Sequence, residues 1–296
     1  MASKHKVVFF GGGGFIGSHC ADLAAREGYA VTIYDRVKSR YLNGDQIEVI
    51  ADIFDESSLL AALVGATSVV FCAGMSDLRS GAREPILSIE QNIKGLCLVL
   101  DASVKAGVQH FVYASSLYAA GEYGGFYGVS KKSAESYIQQ YKRLYDLDFS
   151  IIRIGSVYGP RAGDDNRINK LVLAALTDGK LSFEGMLEMS RAYIHVLDVA
   201  RIFVDSLKLS SFRNSIVEIF GDRSFTMSEV LLVMSECLGV PIGSVVDTRV
   251  GENYLSTPKT EDVVLVSEIR PIKMIGFVEG IVELAQTLSY EISQRK

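Results

Sequence analysis

The 296-residue chain sets 30 Lys and Arg against 35 Asp and Glu, a formal charge of −5. That balance excludes a nucleic-acid binder, because neutralising phosphates needs a basic face and pairs such as Lys131-Lys132 are too short to make one. With 48% hydrophobic and 22% charged residues the composition is that of a soluble globular protein large enough to bury a sizeable core; no apolar run approaches a membrane span, and only four apolar residues precede the first glycines, so neither a membrane segment nor a signal peptide is expected and the cytoplasm is the expected compartment.

The first element is a strand, Val7 to Phe10, which meets a glycine cluster where Gly11, Gly14 and Gly17 fall in a G-x-x-G-x-x-G spacing. A helical pattern then starts at Phe15-Ile16. The first glycine permits the turn off the strand, the second lets a pyrophosphate approach the backbone, and the third allows close packing of helix on strand. The helix N-terminus adds unpaired N–H donors and a positive dipole end. A second strand, Ala30 to Tyr34, ends at Asp35, whose carboxylate suits the two ribose hydroxyls of an adenosine and favours NAD over NADP. Arg36 keeps NADP open as the alternative, although Asp35 would repel a 2′-phosphate and packing on the adenine face suits Arg36 better.

A third strand, Ile47 to Ala51, ends at Asp52-Ile53, beside the expected adenine position, although a helix-capping role for the segment Asp52 to Ser57 reads equally well. After a short helix, Ser57 to Leu63, a fourth strand, Ser68 to Phe71, runs into Cys72-Ala73-Gly74, small residues against which a cofactor can lie. Apolar residues at helical period then span Pro85 to Lys105, with Asn92 as the polar member of the inward side. A fifth strand, Val108 to Ala114, delivers Ser115 and Ser116 to its carboxyl end, where α/β sheets place their chemistry. A helix, Phe126 to Leu144, and a sixth strand, Ser150 to Ile154, complete an alternation that implies a doubly wound parallel sheet with right-handed crossovers. Beyond Gly155 the pattern loosens. Residues 1–155 read as a dinucleotide-binding domain carrying the catalytic residues, and 156–296 as a mainly substrate-binding region interleaved with the last sheet elements. The four cysteines, Cys20, Cys72, Cys97 and Cys237, show no metal-ligand spacing and read as small core residues.

Tyr127 and Lys131 lie four apart on the predicted helix and share a face. A nearby ammonium favours the phenolate, so Tyr127 is expected to act as a base near neutral pH, with Ser116 bonding the substrate hydroxyl and Lys131 holding ribose hydroxyls.

These residues together resemble the extended short-chain dehydrogenase/reductases, of the nucleotide-sugar epimerase and dehydratase branch, over nearly the whole chain. The resemblance rests on Gly11/Gly14/Gly17 with Phe15-Ile16, on Asp35 and Asp52, on Asn92-Ile93-Lys94-Gly95, on Tyr113-Ala114-Ser115-Ser116 and on Tyr127-Gly128-Val129-Ser130-Lys131. It extends to Val157-Tyr158-Gly159-Pro160-Arg161 and to Arg191 through Ala200. It implies a Rossmann fold with a smaller C-terminal substrate-binding region, NAD as cofactor, a nucleotide-sugar substrate and a Ser116/Tyr127/Lys131 catalytic set supported by Asn92. It further implies that Arg191 contacts the nucleotide diphosphate, with Arg161 also on the substrate side, and that the two long helices pair in a homodimer through Tyr137, Tyr141, Leu144 and Tyr145. His195 is expected to be structural or to stand behind a residue that touches the ligand, ahead of a catalytic role, and Asp198 to cap a helix from Val199 to Leu207.

The chain departs from the family pattern at Phe10, usually a small hydroxyl residue, at Cys72, often His, and at Ser156, often Asn. The Ser116-to-Tyr127 spacing is also short, 127 − 116 = 11. Dehydratases of the branch carry an Asp-Glu pair directly after the Ser/Thr; Leu117-Tyr118 offers no carboxylate, which disfavours elimination and leaves epimerisation or carbonyl reduction, and the resemblance implies a UDP-sugar 4-epimerase as the commonest activity for such a motif set. The alternatives are an NAD(P)H-dependent keto-sugar or carbonyl reductase and a non-catalytic NAD-binding regulatory protein.

Overall fold

A computed structural model describes residues 5–75, 84–121, 124–248, 264–265 and 273–294. The alternation read from the sequence is present from β1 (Lys6–Phe10) to β6 (Asp148–Ile154): α1 (Phe15–Arg26), β2 (Ala30–Asp35), β3 (Ile47–Ile50), α2 (Glu56–Leu63), β4 (Ala66–Phe71), α3 (Pro85–Ile89), α4 (Gly95–Lys105), β5 (His110–Ser116) and α5 (Gly125–Tyr145). The chain then forms β7 (Ser156–Tyr158), α6 (Arg167–Asp178), β8 (Leu181–Gly185), β9 (Ser190–His195), α7 (Val196–Lys208), β10 (Ser215–Ile219), β11 (Ser224–Thr226), α8 (Met227–Leu238), β12 (Ile242–Asp247), β13 (Val264–Leu265) and α9 (Phe277–Gln294).

The chain divides into two units. The first combines Met1–Ile154, Val199–Ile219 and Pro258–Pro271, and the second Gly155–Asp198, Phe220–Thr257 and Ile272–Lys296. In the first, eight strands pair in the order β13-β10-β6-β5-β4-β1-β2-β3, every pair parallel. The order reverses between β1 and β4, so a crevice opens outside their carboxyl ends, the place where such sheets bind ligands. Phe10 shows why a large residue is tolerated before the glycines: it is fully buried, 4.8 Å from the Tyr34 ring and 6.1 Å from Phe71, and fills the core. That core runs through Leu59, Val69, Leu96, Val99, Phe111 and Ile151.

Side-chain caps set several helix starts. Asp55 accepts from the Ser57 and Ser58 amides ahead of α2, and Thr226 forms a capping box with Glu229 ahead of α8. The segment expected as one helix over Pro85 to Lys105 contains a π-helical turn, Glu90–Lys94, between α3 and α4. In the second unit β11, β9 and β7 form one small sheet and β12 pairs with β8; Tyr158, Val172, Phe183, Phe225, Phe277 and Ile281 are among its core residues.

Candidate active site

Gly11 leaves β1 at φ +73°, and a Cβ there would lie 2.7 Å from the Ala73 amide nitrogen, so the loops after β1 and β4 touch through backbone. A Cβ on Gly17 would stand 2.3 Å from the Gly11 carbonyl oxygen, whereas one on Gly14 would meet only that oxygen, at 3.3 Å. Gly14 is the N-cap of α1, and no side chain caps the helix. The amides of Phe15, Ile16 and Gly17 precede the first helical bond, from Ser18 N–H to the Gly14 carbonyl (3.0 Å). At the end of β2, Asp35 accepts from the Gly13 amide (3.1 Å) and the Val37 amide (3.4 Å), and Arg36 is exposed beside it. A backbone cradle that side chains would fill, open donors at a helix N-terminus and an acid at the neighbouring strand end fit a dinucleotide.

Within the segment Asp52 to Ser57 it is Asp55 that caps α2; the Asp52 carboxylate accepts from the Phe54 amide (3.1 Å) and its carbonyl from the Tyr34 hydroxyl (2.8 Å). Ile53 packs on α4, where a Cβ on Gly95 would be 2.2 Å from its Cδ1.

Tyr127 and Lys131 are both buried on α5, one turn apart. The Lys131 ammonium donates to the Ala114 carbonyl (2.8 Å) and lies 4.7 Å from the centre of the Tyr113 ring and 5.8 Å from that of Tyr127. Burial lowers Lys131 to about 8, against the pull of Cys72 and Glu135 toward the charged form. Burial also pushes the Cys72 thiol up to about 12. Ser116 is buried at the end of β5, its hydroxyl oxygen accepting from the Tyr118 amide (3.3 Å). Burial pushes the Tyr127 phenol up to about 12, a hydrogen bond with Ser116 pulls it down, and Tyr118, whose ring stands 6.4 Å away, pushes it up. Desolvation is the largest of these effects. Residues 122–123, within the short loop between Ser116 and Tyr127, lie outside the described residues.

Asn92, 2% exposed, sits in the π-helical turn. Its amide group donates to the Met75 carbonyl (3.1 Å) and the Ser130 hydroxyl (3.0 Å) and accepts from the Met75 amide (2.8 Å). It therefore clamps the segment after β4 to α5. Gly74, at φ +119°, makes the approach feasible, because a Cβ there would lie 2.5 Å from the Asn92 oxygen.

Sequence reasoning passed over a charged cluster behind these residues. Glu135, one turn beyond Lys131, accepts from the Ser115 hydroxyl (2.5 Å) and takes both Nε (3.0 Å) and Nη2 (2.8 Å) of Arg153, whose Nη1 reaches Glu218 (3.3 Å). The available signal was Arg153 itself, a lone cation inside an apolar strand.

In the second unit the Arg191 guanidinium donates to the Ser156 hydroxyl (3.3 Å) and touches the Met189 sulfur (3.7 Å), so the serine that replaces an asparagine orients this arginine. Arg161 is half-buried at φ +66°. His195, 1% exposed, packs 5.2 Å from the Tyr158 ring and accepts from the Leu197 amide through Nδ1 (3.5 Å), as a structural residue does. Asp198 is not an N-cap: α7 begins at Val196, and the Asp198 carboxylate, inside its first turn, accepts from the Ile275 amide (2.8 Å). All four cysteines are unbridged thiols.

A family model described as "NAD dependent epimerase/dehydratase family" matches residues 7–217. A putative UDP-glucose 4-epimerase of Methanocaldococcus jannaschii is 26% identical over 270 residues, 84% of this chain and 88% of that protein. Among solved structures, a UDP-glucose 4-epimerase of Thermotoga maritima with UDP-glucose superposes with a TM-score of 0.86 at 23% identity, covering 97% of this chain and 99% of the other. A UDP-glucose 4-epimerase of Thermus thermophilus in complex with NAD gives 0.82 at 23% identity, with 96% and 99% covered.

Proposed function

Since the chain belongs to the NAD dependent epimerase/dehydratase family, we propose that it is a nucleotide-sugar epimerase of the UDP-sugar 4-epimerase type. The first unit serves the dinucleotide, held by Gly11, Gly14, Phe15, Ile16, Gly17, Asp35, Cys72, Ala73 and Gly74, with Lys131 on its ribose. The second serves the sugar nucleotide, with Arg191 and Arg161 on the diphosphate side. Bound NAD supplies a hydride acceptor that later returns the hydride, which is what lets one enzyme invert a carbinol carbon. Ser116 Oγ bonds the reacting hydroxyl, and Tyr127 Oη takes its proton and gives it back. A phenol at about 12 lies about five units above neutrality, about 7 kcal/mol, so Tyr127 depends on positive charge in its site, and Lys131 is the protein's own source.

The observation that carries this reading is the buried Ser116–Tyr127–Lys131 set with Leu117 and Tyr118, not carboxylates, directly after Ser116. Purified protein with NAD is expected to interconvert at least one pair in a panel of UDP-, GDP- and dTDP-sugars. Tyr127→Phe is expected to lose turnover by about a hundredfold or more while NAD affinity holds. No interconversion across the panel would sink the proposal. Exposed Arg36 favours the second reading, a reductase using the 2′-phosphorylated cofactor; a clear preference for NADP in binding would select it.

The same reading includes a homodimer through α5. Tyr137, Leu144 and Tyr145 are 47%, 64% and 55% exposed on it, while Tyr141 bonds Asp101, and Ile86 and Ile89 are exposed on α3. Sedimentation giving a monomer at micromolar concentration would refute this. Among the described residues no helix is long and apolar enough to cross a membrane; with unbridged cysteines, this supports the cytoplasm as the compartment.

A further inference from the structure

Ser115 pairs with Arg153 across β5 and β6, and Arg153 with Glu218 across β6 and β10. Partners in register send their side chains to the same face of a sheet, so the three form a row across adjacent strands, and Glu135 of α5 lies over it. Ser115, Glu135 and Glu218 are 4%, 3% and 3% exposed, and the Arg153 side chain 11%. A single carboxylate neutralises a buried guanidinium, and Glu135 already holds Arg153 by two bonds. Glu218 is then a second buried anion, costly unless another cation needs it. The cation one helical turn from Glu135 is Lys131, and two carboxylates balance Arg153 and Lys131 together. The groups that face Lys131 are the Tyr113 ring and Ala114 carbonyl from β5, Tyr127 and Glu135 from its own helix, and the Cys72 thiol after β4. Of these, Glu135 is the one carboxylate.

We propose that the Ser115–Glu135–Arg153–Glu218 row is a positioning network that fixes Ser116 and Lys131 against each other and supplies, through its surplus carboxylate, the counter-charge of the Lys131 ammonium. Ser115 ties the strand that ends in Ser116 to the helix that carries Lys131, through one Glu135 oxygen. The proposal rests on reading Ser116, Tyr127 and Lys131 as the catalytic set, but its test needs no turnover.

Lysine labelled with carbon-13 at Cε reports deprotonation of each ammonium by its chemical shift, and Lys131→Arg identifies the Lys131 signal in the full-length protein. The parent midpoint is expected near 8. Glu218→Gln keeps the acceptor for Arg153 and removes one charge, and the midpoint is expected to fall by about one unit, a tenfold change in the dissociation constant. Glu135→Gln is expected to lower it further. The double variant Arg153→Gln with Glu218→Gln removes one charge of each sign and is expected to keep the parent midpoint. If Glu135→Gln fails to fold, the Glu218 variants carry the test alone. An unchanged midpoint in a Glu218→Gln protein that melts like the parent overturns the proposal, as does a lowered midpoint in the double variant. Once a turned-over substrate is in hand, the alkaline limb of kcat in Glu218→Gln should move by the same amount with KM for the sugar unchanged. Absence of any turnover bears on the proposed function and leaves the lysine titration standing.

Discussion

Alanine at Gly17 and alanine at Gly14 should separate fold stability from cofactor affinity. At Gly17 the added methyl meets the Gly11 carbonyl oxygen at 2.3 Å, Gly12 Cα at 2.9 Å and the Gly11 carbonyl carbon at 3.0 Å, all backbone atoms. That backbone has no room to retreat. Gly11 donates to the Tyr34 carbonyl (2.9 Å), Gly12 to Phe9 (3.2 Å) and Gly14 to Gly11 (3.1 Å), and Gly11 abuts Ala73. Relief has to come from lifting α1 off β1, which opens the packing of Cys20, Ala21 and Ala24, all 0% exposed. Overpacking of this kind costs about 3 kcal/mol, a fall in Tm of about 6–12 °C for a chain this long. At Gly14 the methyl meets one atom at 3.3 Å and the backbone is extended, φ −81° and ψ −175°. Its cost to stability should stay below about 1 kcal/mol. The methyl, however, stands before the open amides of the helix, and Kd for NAD should rise about tenfold or more. Thermal melts of the ligand-free proteins and calorimetric titration with NAD measure the two effects. A Gly17→Ala protein melting within about 2 °C of the parent, or a Gly14→Ala protein binding NAD at the parent affinity, would refute the reasoning.

Two further outcomes follow from buried polar groups. The Ser150 hydroxyl donates to the Phe212 carbonyl (2.8 Å), so it accepts from His110 Nε2 (2.8 Å), leaving His110 Nδ1 buried without a partner among the described residues. Burial lowers His110 to about 3 from an unfolded value of about 6.5; the unfolded chain therefore binds the proton first, and stability present above pH 6.5 is lost as pH falls toward 3. The loss reaches about 4 kcal/mol, and urea midpoints measured against pH should show it in the parent and a flatter acid limb in His110→Gln. Asn92→Ala strips the acceptor from the Met75 amide and the donor from the Met75 carbonyl, and should lower unfolding free energy by about 2–3 kcal/mol in urea titrations, with Asn92→Asp intermediate.

The glycine spacing, Asp35 and the Tyr127/Lys131 pair were legible in the sequence because each is a local pattern read against the period of one element. The π-helical turn was not, because Ile89, Ile93 and Leu96 satisfy an ordinary helical period and one extra residue per turn leaves no compositional mark. The Tyr127 phenol misled for another reason: spacing reports which charges are near, while desolvation depends on everything packed around them. The cluster behind the site joins residues 18 and 65 positions apart, Glu135 to Arg153 and Arg153 to Glu218, and no single-element pattern links them. Asp198 reads as a cap because acids often precede helices, but β9 runs directly into α7 and the acid falls within the helix's first turn.

The threading of the first unit has a consequence for synthesis. β6 is flanked by β5 on one side and by β10, Ser215–Ile219, on the other. A nascent chain that has emerged only to Ile154 has β6 as a bare sheet edge, with Ile152 lacking the strand opposite it and Arg153 lacking Glu218. Exposed edges of this kind recruit other strands. The interval between residues 154 and 219 is thus a window in which this chain is most open to aggregation on the ribosome, and fragments cut at the end of the sixth strand are expected to be insoluble although they contain the glycine loop, Ser116, Tyr127 and Lys131.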